Sequence, residues 1–249
     1  MERALTLTKT TIGKKAIMAL SGVAMLGFVV GHLAGNLKVF SGPEAFNEYA
    51  VWLRTVPALL WGTRLVLLAA VAAHMASAFS LWSRNRGARK NRYAKKKDLA
   101  TDYAAKTMYW SGPILLFYIL FHLLHLTFGG MIWTDGAALF GFEGYTWAHS
   151  NPYNNMVIGF THWPVVVPYV LGVCALGIHL FHGIWSAFQS MGANHPRYNH
   201  LRRDLAIALA VFLTLGFLSI PAAAMMGWIE PTTQTFYYPE LEPAPVTVP

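Results

Sequence analysis

Cysteine is almost missing from this 249-residue chain: Cys174 is the single one. That excludes an internal disulfide, a C-x-x-C-H haem attachment and an iron–sulfur cluster held by four thiolates of this chain. Cys174 itself is expected to be a small buried apolar side chain. Charge is scarce too, at 12% against 55% hydrophobic residues, which leaves too little polar surface for a soluble domain and points to a polytopic membrane protein. Acidic residues are fewest, 11 against 19 Lys and Arg, for a net charge of +8. Such a balance can mark a nucleic-acid binder, but here the basic residues cluster between apolar segments, a pattern of membrane topology. No acidic residue falls inside the third to fifth apolar segments, and residues 133–163 hold no Lys or Arg. Internal repeats and a soluble domain are also lacking.

What the sequence does have is five apolar segments, about 16–37, 58–82, 107–132, 164–190 and 205–229, each long enough to span a bilayer as a helix. The first follows Arg3, Lys9, Lys14 and Lys15 and has the look of a signal peptide. It is too long for one and lacks a small-x-small exit, so it is expected to stay as a spanning helix. Its Gly27, Gly31 and Gly35 form a bare stripe beside His32, suited to close helix packing or to a planar cofactor. Residues 38–57 read as a loop, with a turn at Ser41-Gly42-Pro43 and a short amphipathic turn of helix over 44–52. The stretch 83–106 is the most basic and belongs in the cytoplasm beside anionic lipid, whereas the loop 133–163 belongs outside. Pro221 is expected to kink the fifth segment, and the acidic, proline-rich tail 231–249 to remain disordered. All loops agree on one topology for a single integral membrane domain, 1–230: N-terminus inside, five spans, C-terminus outside. Trp52, Trp61, Trp133, Trp147, Trp163 and Trp228 fall near the outer ends as an aromatic belt.

Four of the five segments carry histidine: His32, His74, the doublet His122 and His125, and the doublet His179 and His182. An ionisable ring in hydrocarbon is costly and usually has a job. At about 1.5 Å per residue, His32 and His122 both lie about 22 to 24 Å from the cytoplasmic end of their helices, and His74 and His179 about 12 to 16 Å. By depth alone His182 matches His74 at least as well as His179 does. In an up-down four-helix bundle the first and third helices are diagonal neighbours, as are the second and fourth. Imidazoles facing each other across such a core suit six-coordinate haem iron, and two levels leave room for two haems. Arg64, about 27 Å up, either snorkels to the interface or pairs with the propionates of the outer haem. The spare histidines, His125 and His182, are propionate contacts, proton carriers or satisfied polar residues. Met25 and Met75 are expected to pack, and His149, His162, His195 and His200 to be surface groups.

From about residue 13 to 228 the sequence resembles the haem-bearing membrane subunit of succinate:quinone oxidoreductases, the cytochrome b of succinate dehydrogenase and fumarate reductase, in its single-chain, five-helix, two-haem form. The resemblance is carried by Ser21-Gly22 leading to His32 in Gly-His-Leu-Ala-Gly-Asn-Leu, and by Gly42-Pro-Glu-Ala-Phe-Asn-Glu-Tyr. It continues with Arg64 to His74, Gly112 leading to His122, and His179-x-x-His182-Gly-Ile-Trp-Ser. It implies a haem b whose iron is held by His32 and His122, and a second held by His74 and His179. It further implies a bacterial inner-membrane anchor docked on its cytoplasmic side to an iron–sulfur subunit and an FAD flavoprotein, the basic stretch 83–106 being a docking surface. Electrons would pass on to a quinone, menaquinone or ubiquinone, with Asn36, Glu44 and Asn47 as candidate quinone residues. The carboxylate proton path of some members has no counterpart here, since the third to fifth segments lack acids. Two other readings compete: the cytochrome b of a membrane hydrogenase or formate dehydrogenase, and a haem-free transporter or structural anchor.

Overall fold

The computed structural model describes residues 8–88, 103–129, 147–148, 150–236 and 238. Among them lie seven α-helices and no strand: α1 (Thr11–Asn36), α2 (Pro43–Thr55), α3 (Pro57–Gly87), α4 (Tyr103–His122), α5 (Pro152–Phe160), α6 (Trp163–Ser190) and α7 (Asn199–Met225). Five stretches are long and apolar enough to cross a membrane: Thr11–Ser41, Pro57–Gly87, Tyr103–Thr127, Trp163–Ser190 and Pro196–Met225. The chain is an all-α, multi-pass membrane protein. The physical reason is the solvent: in hydrocarbon every backbone N–H and C=O must find its partner within the protein, and a single span can do this only as a helix. Leu65, Leu68, Phe79, Phe117, Leu171 and Leu215 are exposed on these helices, as lipid-facing side chains are.

The chain divides into two compact units. The first comprises Met1–Gly31, Thr63–Ile114 and Cys174–Thr214; the second comprises His32–Gly62, Leu115–Val173 and Leu215–Pro249. Small side chains dominate the interior of the first: Ala19, Ser21, Ala70, Ser77, Ala104, Ser111, Ala206 and Ala210 are all buried. In a membrane, where lipid is as apolar as leucine, such residues stabilise helix contacts by letting backbones come close. The second unit has a bulkier core, in which Phe46, Tyr153, Met156, Phe160, Tyr169 and Ile220 pack together.

Several elements depart from the sequence expectations. The amphipathic turn expected over 44–52 is the 13-residue helix α2, started by Pro43 after Gly42 at φ 98°. A second helix, α5, stands inside the stretch expected to be an outer loop. Asn151 caps it by accepting the Asn154 N–H at 3.1 Å, and Pro152 opens its first turn, where the missing proline N–H does no harm. The last span begins earlier and stops at Met225 instead of 229 because Gly227, at φ 70°, turns the chain left-handed. The Trp228 N–H then reaches back to the Ala223 carbonyl at 2.8 Å and the Gly227 N–H to that of Ala224 at 3.1 Å, closing the end of the helix. Cys174 is exposed on α6, not buried; on a lipid-facing surface a thiol behaves as one more small apolar group. The expected basic loop begins only after α3 ends at Gly87, and most of it, 89–102, lies outside the described residues. So do His149, Trp133 and most of the expected disordered tail.

The two short-loop helices lock together through Asn47, which is fully buried. Its Oδ1 accepts the Tyr153 N–H at 2.9 Å, and its Nδ2 donates to Asn151 Oδ1 at 3.2 Å. Asn154 ties the segment after α7 to the same helix, donating to the Thr232 carbonyl at 2.8 Å and accepting the Thr232 N–H at 2.9 Å.

Candidate functional site

Each unit holds one pair of facing histidines. In the first, His74 of α3 and His179 of α6 stand with ring centroids 6.1 Å apart and planes at 55°. The Nδ1 of His74 lies 3.0 Å from the Met18 carbonyl and 3.3 Å from Ser21 Oγ. A carbonyl only accepts, so this nitrogen carries the proton and Nε2 keeps its lone pair. The Nδ1 of His179 lies 3.0 Å from Ser111 Oγ. That hydroxyl also has the Met108 carbonyl as an acceptor at 3.2 Å, and when it donates there its oxygen is left to accept from the ring. Gly22 lets the His74 ring lie against α1: a Cβ there would stand 3.4 Å from Cε1.

In the second unit, His32 of α1 and His122 of α4 have centroids 5.7 Å apart and planes at 87°. The Tyr169 hydroxyl sits 3.2 Å from His122 Nδ1 and 2.9 Å from His125 Nδ1. One O–H has one proton, so it donates to one ring and accepts from the other. Tyr169 is buried and packs edge-on against Tyr118, centroids 5.5 Å apart. His32 Nε2 lies 3.2 Å from the Asn36 amide nitrogen, so a metal bound through that nitrogen requires the amide to move aside.

Metal–imidazole nitrogen bonds are about 2 Å long, and two rings on opposite sides of one ion therefore have centroids about 6 Å apart. Both pairs fit that spacing. A haem brings four nitrogens of its own and asks the protein for two. Room for a flat group exists on α1, since a Cβ at Gly27 or Gly31 would meet nothing within 4 Å. The third glycine of that stripe, Gly35, is different: its Cβ would stand 2.7 Å from the Tyr49 hydroxyl, so it serves helix packing.

The remaining candidates fall in varied places. His125 is buried, with Phe121 stacked on it at 6.0 Å and Phe160 at 6.0 Å. It lies in a π turn over Leu123–Thr127, closed by the Phe128 N–H on the Leu123 carbonyl at 2.8 Å, and meets the same Tyr169 hydroxyl as His122. His182 is half-buried on α6, one turn beyond His179. Arg64 is exposed, near the start of the α3 stretch that belongs to the first unit. Asn36 touches His32 as described, and Glu44 is exposed on α2. Glu44 and Glu48 bear on Tyr238, whose phenol is raised above its ordinary pKa by burial first and then by these carboxylates. Asn47 is buried and joins α2 to α5.

Sequence reasoning missed Ser21, Ser111 and Tyr169 as partners of the histidines. A signal was present: Ser21 precedes His32, and Ser111 precedes His122, by the same eleven residues. Eleven residues is close to three turns, so each serine shares a helix face with a histidine. The close approach at Gly159 gives a test of the packing around His125. A Cβ there would stand 2.5 Å from His125 Nε2 and 2.7 Å from Cε1. Gly159→Ala is expected to cost about 1–3 kcal/mol through overpacking, seen as a lower thermal midpoint in detergent; an unchanged midpoint would show that the ring can yield freely.

Comparison of the chain with family models, with curated proteins and with solved structures finds no match.

Proposed function

We propose that this chain is a dihaem cytochrome b that anchors a succinate dehydrogenase or fumarate reductase in the bacterial inner membrane. In that role it passes electrons between an iron–sulfur subunit, itself served by an FAD flavoprotein, and a membrane quinone. The observation that carries the reading is the repeated geometry: two histidine pairs, from four helices, each at the centroid spacing of two imidazoles on one iron. When bound, a haem at each pair supplies one-electron exchange between ferric and ferrous iron. His74 and His179 would hold one, His32 and His122 the other. The chain's own contribution is to orient the rings and to place the ligands in a water-poor interior.

Charge supports the orientation. Of the 19 Lys and Arg, only Lys38 and Arg54 fall in the second unit, whereas seven of the 11 acidic residues do. The first unit therefore carries 17 basic and four acidic residues, the second two and seven. By the positive-inside rule the end bearing the basic residues faces the cytoplasm, where soluble subunits would dock.

Purification of the membrane complex, with haem quantified and titrated in the visible range, tests the reading. Two low-spin haems per chain and a co-purifying FAD subunit are expected. A colourless protein would sink the electron-transfer role, and two haems without a flavin subunit would redirect it to another respiratory complex.

A further inference from the structure

We infer that Ser21 and Ser111 are positioning residues: their hydroxyls hold His74 and His179 with Nδ1 protonated and Nε2 bare, so that the two rings meet an iron as ready-made ligands. The inference rests on the haem reading above and adds two residues that set the electronic character of one of the two sites.

A serine buried in the middle of a membrane helix needs a reason, because an unpartnered hydroxyl in an apolar interior is costly. Both are buried, Ser21 at 8% and Ser111 at 5% exposure. Each gives its own proton to the preceding turn: Ser21 to the Ile17 carbonyl at 2.7 Å, Ser111 to the Met108 carbonyl at 3.2 Å. This is the usual escape for serine within a helix. With the proton committed there, the oxygen lone pairs face the histidines and accept from Nδ1–H. At His74 the Met18 carbonyl enforces the same tautomer independently. Two ligands from different helices thus reach the same protonation state by the same device.

The chemistry of the acceptor matters. An acceptor on Nδ1–H raises the basicity of the opposite nitrogen and favours ferric over ferrous iron. A carboxylate would do so more strongly, but an ionised carboxylate in this interior is expensive. A hydroxyl gives a moderate push without a charge. Tyr169 stands in a similar relation to His122, with its hydroxyl shared with His125. Eleven residues separate Ser21 from His32 and Ser111 from His122. Helices α1 and α4 therefore each orient a ring in the first unit with a serine and present a ring of their own in the second.

The experiment uses the full chain in its membrane complex, as wild type, Ser21→Ala, Ser111→Ala and Ser111→Thr. Two readouts are taken: the midpoint potential of each haem, and the rate at which each haem passes to an excess of apomyoglobin. In Ser111→Ala one haem is expected to shift to higher potential and to leave about 10–100 times faster; in Ser21→Ala the same haem should shift in the same direction by less, because the Met18 carbonyl still accepts from His74, and the other haem is unmoved in both. Ser111→Thr, which keeps the hydroxyl, should restore both values. Two haems in the wild type with neither serine variant altering potential or release would overturn the inference and leave the haem reading standing. So would loss of both haems in an alanine variant that threonine fails to restore, since the serine would then be a packing residue only. No haem in the wild type would overturn the haem reading itself, before any variant is compared.

Discussion

Replacing His122 by alanine is expected, on the proposed dihaem reading, to leave one haem in place of two, and His32→Ala to remove the same one. His74→Ala and His179→Ala should each remove the other. The effect is all-or-none because six-coordinate iron held between two imidazoles loses one of only two protein bonds. The two losses should be separable, since His32 and His122 belong to one compact unit and His74 and His179 to the other. Within each pair the rings are close, 5.7 and 6.1 Å between centroids. Visible spectra through a redox titration identify which potential disappears. The doublets sharpen the test: His125→Ala and His182→Ala should keep both haems, since the proposed ligands are His122, close to His32, and His179, close to His74. If His122→Ala and His74→Ala removed the same haem, or neither did, the ligand assignment would be wrong.

The next largest effect is expected at Asn47. Its amide joins two helices that sequence reasoning treated as loop, and every polar atom of its side chain is engaged at 0% exposure. Asn47→Ala orphans the Tyr153 N–H in the first turn of α5, a group that no helix can satisfy internally. It also takes a donor from Asn151 Oδ1, the atom that caps the same helix through the Asn154 N–H. An unsatisfied buried N–H costs about 1–3 kcal/mol, and weakening the cap adds up to about 1 kcal/mol. A loss of about 1–4 kcal/mol is thus expected, concentrated in α5. Hydrogen exchange over residues 152–160 should accelerate far more than exchange in the spans. Unchanged protection there would show that the amide is dispensable.

These two predictions mark where sequence was informative and where it was not. The spans were legible because lipid leaves a long apolar segment no alternative to a helix, and a helix converts residue number to depth at a constant rate. Depth placed His32 level with His122. It left His74 between His179 and His182, because one turn of helix is within the uncertainty of where a span ends. The structure has the His74 ring facing that of His179. By contrast α5 lies in a segment with no long apolar run, and only the Asn-Pro pair at its start hinted at it. The serines were hidden for another reason: a neutral hydroxyl on a membrane helix looks like a packing residue until the ring beside it is seen. The burial of Asn47 between α2 and α5 was likewise not legible, since composition does not reveal it.

The π turn at Leu123–Thr127 bears on how this chain tolerates changes of length. A π turn takes up one residue more than an α-helix needs, so it is a stored insertion. Deleting Leu124 would let the helix close up in ordinary register without moving anything before it. Residues up to His122 would keep their bearing, and so would those beyond the turn, since the deletion removes only the residue that the turn had taken up. The same deletion a few residues earlier, between Tyr118 and His122, would put His122 itself out of phase. Gaps and insertions in related sequences should therefore gather just after this histidine and be absent just before it.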